Sequence, residues 1–228
     1  MGDRRVIVAF SGGIDSTLAL AQQLHEGKEV IPVTIQTPFV IKKQRKFIWR
    51  LLGHYNLQAA SVFFDMRDIA ELTQPTTKGG AYEDYIPGYQ CLLYMPILAV
   101  ADKLGVEKVV TGTTLDTTRG GKKDVFVIGR HIDDDTPVAL NEMASFYNSL
   151  YDTDISFVLP FGGLTKVQAM KQYEFLNIPY RLINSCENIM VNHGYTWHCG
   201  KCHKCLERSQ AFMELGWEDP VVYESDCQ

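Results

Sequence analysis

A glycine-rich hexapeptide near the start of the chain, residues 11–16 (SGGIDS), has the residue types of a phosphate-binding loop. It follows the apolar run at residues 6–10 and precedes a helical stretch at residues 17–21. Glycines let the backbone turn tightly and approach an oxyanion, while the first turn of a helix offers free N–H groups and a positive dipole end. Ser11 and Ser16 add hydroxyl donors, and Asp15 is placed to orient a metal ion. The segment predicts a pyrophosphate cradle, and a tight turn with Asp15 as the helix cap is the simpler alternative.

A cluster of cysteines near the other end of the sequence has the spacing of metal ligands. Three of the six cysteines form a C-x-x-C-x-x-C run and a fourth lies upstream; the four are Cys186, Cys199, Cys202 and Cys205. Four thiolates surround one zinc ion tetrahedrally and leave no position for water, so such a site stabilises a fold rather than catalysing a reaction. We therefore predict a structural zinc site.

Three other uses of the cysteine cluster stay open. An iron–sulfur cluster also takes cysteine triplets, although this run lacks the proline that accompanies such a pattern. One of the nearby histidines could replace a cysteine as a ligand, or a C-x-x-C pair could do redox chemistry. The other two cysteines are predicted to be a buried small apolar residue, Cys91, and a thiol at a frayed end, Cys227.

The composition indicates one principal domain with a small appended lobe. The chain has 228 residues, of which 46% are hydrophobic, and its net charge of -5 does not attract phosphate backbones as a whole. This argues against an enzyme that grips tRNA broadly. No apolar run reaches the ~18 residues that cross a membrane, and the first residues lead into a strand rather than a signal-peptide core. We expect a soluble cytoplasmic protein without a membrane partner.

Segments that alternate along the chain predict an α/β fold with a parallel sheet. Strands are predicted at residues 6–10, 29–35, 60–64 and 106–110, and helices follow them, including residues 42–55 and 88–104. Ligands collect at the carboxyl ends of parallel strands where the strand order reverses, so the loops after Phe10, Ile35 and Val110 should converge. Residues 73–87 are predicted to form a mobile loop over the site, and residues 114–154 are predicted to be largely irregular.

A lysine at the start of a later helix is a candidate phosphate ligand. Thr165 is a plausible helix cap, and Lys166 follows it in the first turn. A cation there opposes the helix dipole, so Lys166 has no helix-forming reason to be present. We interpret it either as a residue that reaches the phosphates or as an ordinary solubilising lysine.

The hexapeptide resembles the SGGxDS signature of the PP-loop ATP pyrophosphatases, since it lacks the Gly-Lys-Ser/Thr ending of the common NTPase loop and the third glycine of the dinucleotide fingerprint. With the cysteine cluster, the chain resembles the 7-cyano-7-deazaguanine synthases of queuosine biosynthesis. The matching segments span nearly the whole chain and are residues 85–88 (YIPG), 111–112 with Asp116, 164–166 (LTK), 185–186 and 199–205 leading into Arg208. This resemblance implies a Rossmann-like, adenine nucleotide alpha-hydrolase-like PP-loop domain at residues 1–180 and a small zinc-binding lobe at residues 181–228.

The resemblance also implies the site residues. The catalytic residues would be Ser11, Asp15, Ser16 and Lys166. ATP and Mg²⁺ would be bound at a nucleotide site formed by Phe10, Ser11, Gly12, Gly13, Ile14, Asp15, Ser16, Thr17, Thr111 and Gly112. The deazaguanine would contact Tyr89, Gln90, Thr113 and Asp116. Such enzymes adenylate 7-carboxy-7-deazaguanine with ATP, form the amide with ammonia, and convert the amide to the nitrile with a second ATP. A homodimer is expected.

Three segments depart from the family pattern and keep other functions open. The family carries Arg-Asn where this chain has Tyr89-Gln90, a Tyr-Pro-Asp-Cys-Arg-like stretch where this chain has residues 117–121 (TTRGG), and a glycine-rich segment where it has residues 37–40 (TPFV). The ATP half looks intact and the acceptor half remodelled. The alternatives are a ligase that stops at the amide or transfers the deazaguanine to a protein or nucleic acid, a nucleotide sensor without turnover, and another PP-loop enzyme such as a tRNA thiolase using Cys91.

Overall fold

In a computed structural model of the protein, the described residues are 4–36, 42–63, 89–115, 126–127, 130–131, 136–186, 188–192 and 195–224. The strands are β1 (Arg5–Ala9), β2 (Glu29–Gln36), β3 (Ala60–Phe63), β4 (Lys108–Val110), β5 (Phe126–Val127), β6 (Arg130–His131), β7 (Ser156–Val158), β8 (Met190–Asn192) and β9 (Tyr195–Trp197). The helices are α1 (Ile14–His25), α2 (Lys42–His54), α3 (Tyr89–Leu104), α4 (Pro137–Tyr151), α5 (Lys166–Gln172) and α6 (His203–Leu215), with 3-10 turns at Glu174–Leu176 and Tyr180–Leu182.

Five strands form one parallel sheet in the order β3-β2-β1-β4-β7. The chain leaves β1 toward β2 and β3 on one side, then returns to pair β4 with the other side of β1. The strand order therefore reverses between β1 and β4, and the loops that follow these two strands open at the same edge. The hexapeptide follows β1, and residues 111–113 follow β4, so the fold places both at the predicted ligand edge.

The two faces of the sheet are covered by separate groups of helices. Side chains alternate across a strand, so Val6 and Val8 of β1 contact one apolar layer while Ile7 contacts the other. The first layer takes buried residues from α1 and α2 and also includes Phe212 of α6; the second takes them from α3 and α4. The C-terminal segment thus packs on the same face of the sheet as α1. The division into two domains at residue 180 stays a prediction.

A buried arginine ties the C-terminal segment together. Arg208 of α6 is 1% exposed and contacts both carboxylate oxygens of Asp219 at 2.8 to 3.0 Å. Its guanidinium also donates to the carbonyl oxygens of Tyr180 and Ile183, at 3.0 and 3.3 Å. Asp219 further accepts a hydrogen bond from the Tyr223 hydroxyl at 2.7 Å. The buried charge is therefore compensated by one carboxylate and two carbonyl groups, as burial of a guanidinium requires.

Part of the sequence interpretation was wrong. Residues 114–154 were predicted to be irregular, yet they contain α4, which buries Leu140, Met143, Ala144 and Tyr147 at helical spacing. The short strand β7 was also missed. Cys91 was predicted to be buried but is exposed, because it lies in the first turn of α3 and complete burial begins near Ile97.

The four predicted strands and the predicted helices at residues 42–55 and 88–104 agree with the structure to within two residues at each end. Helix α3 continues through Pro96. Some other expectations concern residues that the structure does not describe. The loops at residues 37–40 and 73–87 lie outside the described residues, as does Cys227. Among the helices that the structure describes, none is long and apolar enough to cross a membrane.

Replacing Asp219 with alanine tests the buried ion pair. The substitution leaves the Arg208 guanidinium buried with only two carbonyl partners, so we expect the free energy of unfolding to fall by about 3–5 kcal/mol. The measurement is urea denaturation of the metal-loaded protein. Glu174→Ala is the matched control, because it breaks an ion pair with Lys171 whose side chains are 53% and 62% exposed and should cost less than about 1 kcal/mol. Equal losses in the two variants would contradict the assignment.

Candidate functional site

The glycine loop follows β1, whose end is held by hydrogen bonds to β2. Phe10 is buried, its backbone N–H donates to the Val33 carbonyl at 2.9 Å, and its own carbonyl accepts from the Thr34 hydroxyl at 2.9 Å. Gly12 then adopts a positive φ of 78°, which a residue with a side chain rarely adopts. Gly13 is the N-cap of α1 and has no side chain to close the first turn. Backbone N–H groups at the start of α1 thus face the loop without a side-chain cap, as an anion site requires.

Side-chain hydroxyl groups stabilise the glycine loop through hydrogen bonds to its backbone and to one another. The Ser16 hydroxyl lies 3.1 Å from the Ser11 hydroxyl and donates to the Gly13 carbonyl at 3.2 Å. The Thr17 hydroxyl donates to the same carbonyl at 2.7 Å. Ser16 and Thr17 are buried, whereas Ser11 is exposed at the loop surface. Of the predicted nucleotide ligands, Phe10, Ser16 and Thr17 therefore support the loop, and residues 11–15 line its cavity.

The loop after β4 contacts the glycine loop through Gly112. A Cβ atom on Gly112 would clash with the backbone carbonyl group of Asp15 and lie 2.7 Å from the Ser16 nitrogen. The residues on either side, Thr111 and Thr113, are buried and joined by a hydrogen bond of 2.7 Å between their hydroxyl groups. The predicted convergence of these two loops is therefore present, and glycine is needed because the two backbones touch.

The Lys166 side chain extends from α5 to the glycine loop. This short helix begins with a capping box, in which Thr165 and Gln168 bind each other's backbone N–H groups. The Lys166 ammonium lies 3.3 Å from Asp15 Oδ2 and 3.4 Å from Glu207 Oε2 of α6, and its side chain is only 14% exposed. The other oxygen of Asp15, Oδ1, is buried without a hydrogen-bond partner among the described residues. The Lys166 ammonium thus lies beside the glycine loop, and its contact with the phosphates stays a prediction.

The charges of this cluster shift its pKa values. Burial raises the pKa of Asp15, and the attraction of Lys166 and Lys204 offsets only part of that effect. Burial alone would lower the pKa of Lys166, but Asp15 and Glu207 outweigh it, so the pKa lies above its ordinary value. The Glu207 carboxyl is also buried in part, yet the pKa falls because Lys204, Lys166 and His203 surround it. Lys166 therefore carries a positive charge at neutral pH.

A cavity of about 310 Å³ lies between the glycine loop and the C-terminal segment. Residues 11–15 and Lys166 form one side; the remaining lining residues are Phe47, Ile48, Asn184, Ser185, Cys186, Lys204, Glu207 and Arg208. From the sequence, Phe47 and Ile48 were predicted only to lie on the helix at residues 42–55, and Lys204 and Glu207 had no predicted role. The available signal for the latter two was their position around Cys205, the last cysteine of the C-x-x-C-x-x-C run, in the first two turns of α6.

The four predicted cysteine ligands come together beside this cavity. Their sulfur atoms all lie within 4.8 Å of one another, and Cys199 Sγ is 4.0 Å from Cys205 Sγ. Zinc–sulfur bonds of about 2.3 Å in a tetrahedron give a spacing of about 3.8 Å, so one ion fits between the sulfurs, whereas a multi-iron cluster would separate them further. Among the described residues, no histidine joins this group.

Backbone N–H donors also suit bound thiolates. The Cys199 N–H donates to Cys186 Sγ at 3.2 Å, and the Cys202 N–H donates to Cys199 Sγ at 3.3 Å. Burial raises the pKa of Cys186 to about 11, so without a cation this thiol keeps its proton at neutral pH. Burial also raises the pKa of Cys199, but N–H donors from Lys201 and Cys202 outweigh it and lower the value to about 7. A zinc ion held by the four cysteines would displace the remaining protons.

Only two of the four predicted acceptor residues, Gln90 and Thr113, have side chains that the structure describes. Gln90 is half-buried in the first turn of α3, and Thr113 is buried in the loop after β4. The side chain of Tyr89 and all of Asp116 lie outside the described residues. The described residues thus include most of the predicted nucleotide site, and the deazaguanine contacts stay a prediction.

A parallel sheet with a glycine loop at its switch point, a facing lysine and an appended four-cysteine cluster define a protein of the PP-loop ATP pyrophosphatase fold. The NMN synthetase of Francisella tularensis shares this fold with a TM-score of 0.51 at 15% sequence identity, over 94% of this chain and 77% of that one. More specifically, residues 5–216 match the model of the family described as "Queuosine biosynthesis protein QueC", and the chain belongs to that family.

Relatives named 7-cyano-7-deazaguanine synthase match nearly the whole chain at low identity. The protein of Picrophilus torridus is 26% identical over 96% of this chain and 92% of its own length. The "7-cyano-7-deazaguanine synthase 2" of Sulfurisphaera tokodaii is also 26% identical, over 97% of this chain. This chain covers only 48% of that relative and of its Saccharolobus solfataricus counterpart, so it spans about half the length of these two proteins.

Substituting Gly112 with alanine tests the contact between the two loops. The new methyl group would meet the Asp15 backbone, which cannot move without deforming the first turn of α1. We expect the free energy of unfolding to fall by about 1–3 kcal/mol, as for other overpacked sites. Gly163→Ala is the control, since a Cβ there meets nothing within 4 Å. Denaturant unfolding measures both variants, and an unchanged Gly112→Ala protein would contradict the contact.

Replacing Cys202 with serine tests the metal site. We expect the purified protein to hold about one zinc ion per chain, as measured by atomic absorption, and the Cys202→Ser variant to lose most of it under mild chelation. The melting temperature should fall with the metal, because the ligands hold α6 to the upstream loop. Cys91→Ser, an exposed cysteine on α3, should keep the zinc content of the unchanged protein. Absence of zinc from the unchanged protein would refute the assignment.

Proposed function

We propose that this protein is an ATP-dependent carbon–nitrogen ligase that adenylates the carboxylate of 7-carboxy-7-deazaguanine and, with ammonia, forms the amide and then the nitrile. The observation that carries the proposal is the position of Lys166, whose ammonium faces the glycine loop at the switch point and contacts Asp15 at 3.3 Å. Membership of the QueC family and the names of the relatives supply the acceptor class.

The loop and the lysine have complementary tasks in the first step. Backbone N–H groups at Gly12 and Gly13, with the Ser11 hydroxyl, would hold the β- and γ-phosphates of ATP, and Lys166 would neutralise the charge that develops on the departing pyrophosphate. Asp15 Oδ1 is a buried carboxylate oxygen without a described partner, which suits a contact to Mg²⁺. A magnesium ion there would offset the charge of the phosphates.

The chemistry proceeds through displacement at the α-phosphorus of ATP. A carboxylate oxygen of the deazaguanine attacks this phosphorus and pyrophosphate leaves, so an acyl adenylate forms. Ammonia then attacks the acyl carbon and AMP leaves with the oxygen, which gives the amide. A second ATP activates the amide oxygen in the same way, and loss of AMP and protons gives the nitrile. No covalent protein nucleophile is required.

A second candidate is a ligase that stops at the amide or passes the activated deazaguanine to a macromolecule. It is favoured by Tyr89-Gln90 and by residues 37–40 and 117–121, which differ from the family pattern near the expected acceptor. The mass of the small-molecule product after incubation with ATP and ammonium separates nitrile from amide, and its absence with continued AMP release favours a macromolecular acceptor. Binding of ATP without turnover would favour the sensor. The homodimer stays a prediction.

Lys166→Met tests the role of the lysine. Loss of a preorganised cation beside the leaving group should lower kcat for AMP formation by about 100-fold, because such contacts are stronger in the transition state. Lys171→Met is the control, since Lys171 lies on the same helix with its side chain 62% exposed and pairs with Glu174. AMP release is measured by chromatography. Equal activity of the two variants would show that Lys166 does not serve the reaction.

An isotope experiment tests the reaction class itself. When the carboxylate of the deazaguanine carries ¹⁸O, one labelled oxygen should appear in AMP, because the bond from that oxygen to the α-phosphorus survives when AMP leaves. Mass spectrometry of the nucleotide measures the label. Release of ADP without AMP, or of unlabelled AMP, would overturn the adenylation mechanism.

A further inference from the structure

Glu207 links the cysteine cluster to the ATP cavity. It lies on α6 two residues after the ligand Cys205, and its carboxylate reaches back to the Lys166 ammonium at 3.4 Å. The same carboxylate contacts His203 Nε2 at 2.7 Å and Lys204 Nζ at 3.1 Å. One carboxylate near the cysteine cluster therefore contacts three basic side chains. One of these, Lys166, also contacts Asp15 of the glycine loop.

The contact with Lys166 is the most buried of the three. The side chain of Lys166 is 14% exposed, compared with 48% for Lys204 and 57% for His203. Water screens the two exposed pairs strongly, so they contribute little energy, whereas a pair with a largely buried ammonium is screened less. The pair with Lys166 is therefore the one of the three that water screens least.

The basic residues in the first turn of α6 are not explained by the stability of the helix. The helix has no acidic residue in its first turn, where a carboxylate would be favourable, and it has His203 and Lys204 there instead, which oppose the dipole. Glu207 is also unfavourable to the proposed ligand, because a carboxylate lining the cavity repels phosphates. A carboxylate that repels the proposed ligand and is nevertheless present in the cavity indicates a functional constraint.

The two carboxylates hold Lys166 between them. Asp15 and Glu207 lie at nearly equal distances from the ammonium, 3.3 and 3.4 Å, and they belong to helices from opposite ends of the sequence. A neutral residue at position 207 would remove one of these two attractions and leave that of Asp15 in place. Lys166 would then close onto Asp15, which would withdraw the ammonium from the phosphates and the carboxylate from a metal ion.

We propose that Glu207 is a positioning residue, which holds the Lys166 ammonium at the mouth of the glycine loop and makes the metal-bound segment part of the ATP site. This inference rests on the proposed role of Lys166 in ATP cleavage. Glu207 touches no reacting atom in this scheme; its effect on the reaction passes through Lys166 alone. The effect of a Glu207 substitution should therefore vanish when Lys166 is absent.

A double-mutant cycle on the zinc-loaded protein tests this dependence. Glu207→Gln should lower kcat for AMP formation by about tenfold without raising KM for ATP, as expected when an interaction acts in the transition state. In the Lys166→Met background, the same substitution should change kcat by less than about twofold, since coupled residues are non-additive. Glu214→Gln is the control, because Glu214 lies on the same helix, is exposed and pairs with Gln210.

Zinc content and melting temperature are measured for every variant, and Glu207→Asp replaces the glutamine variant if that protein loses its zinc. A Glu207 variant with the kcat of the Glu214→Gln protein overturns the inference, and so does a tenfold loss that persists without Lys166. If the unchanged protein releases no AMP, the proposed function fails separately. In that case the cycle is measured by calorimetry of pyrophosphate binding. An equal effect of Glu207→Gln on the affinity for pyrophosphate, with and without Lys166, overturns the inference.

Discussion

The backbone of Gly112 lies so close to that of Asp15 that no side chain fits between them. The contact joins the loops after β1 and β4, the two central strands between which the order of the sheet reverses. It fixes the first turn of α1, and with it the direction of the Asp15 carboxylate and of the free N–H groups. Lys166, α6 and the cavity are arranged around this turn. A glycine without a side chain thus sets the geometry on which the charged groups depend.

Two charged networks serve different purposes on the same helix. Arg208 faces inward, where Asp219 and two carbonyl groups compensate its charge, and it fastens α6 to the chain before and after it. Glu207, its neighbour, faces the cavity and shares its carboxylate among basic groups. The first network is saturated with partners and therefore rigid. The second contains longer contacts and a buried oxygen of Asp15 without a described partner, which leaves it able to accept a ligand.

The parts that the sequence predicted well are those in which a short segment contains its own explanation. A loop of two glycines between a strand and a helix, a helix cap at Thr165 and four cysteines at ligand spacing each describe a local geometry. Helix α4 was missed although its buried positions have helical spacing, because polar residues alternate with them and charged segments precede them; β7 has only three residues. Glu207 and Lys204 carry no pattern of their own. Their place in the site depends on the tertiary contact that turns α6 toward the glycine loop.

The cavity takes its walls from residues 11–15 near one end of the described chain and from residues 184–208 near the other. Closing so long a loop costs conformational entropy that grows slowly with its length, and contacts of this separation form late when a protein folds. During synthesis on the ribosome, the sheet strands emerge well before α6. A nascent chain can therefore order its phosphate loop early and still lack half of the cavity. The proposed nucleotide cavity would then be complete only after α6 has been synthesised.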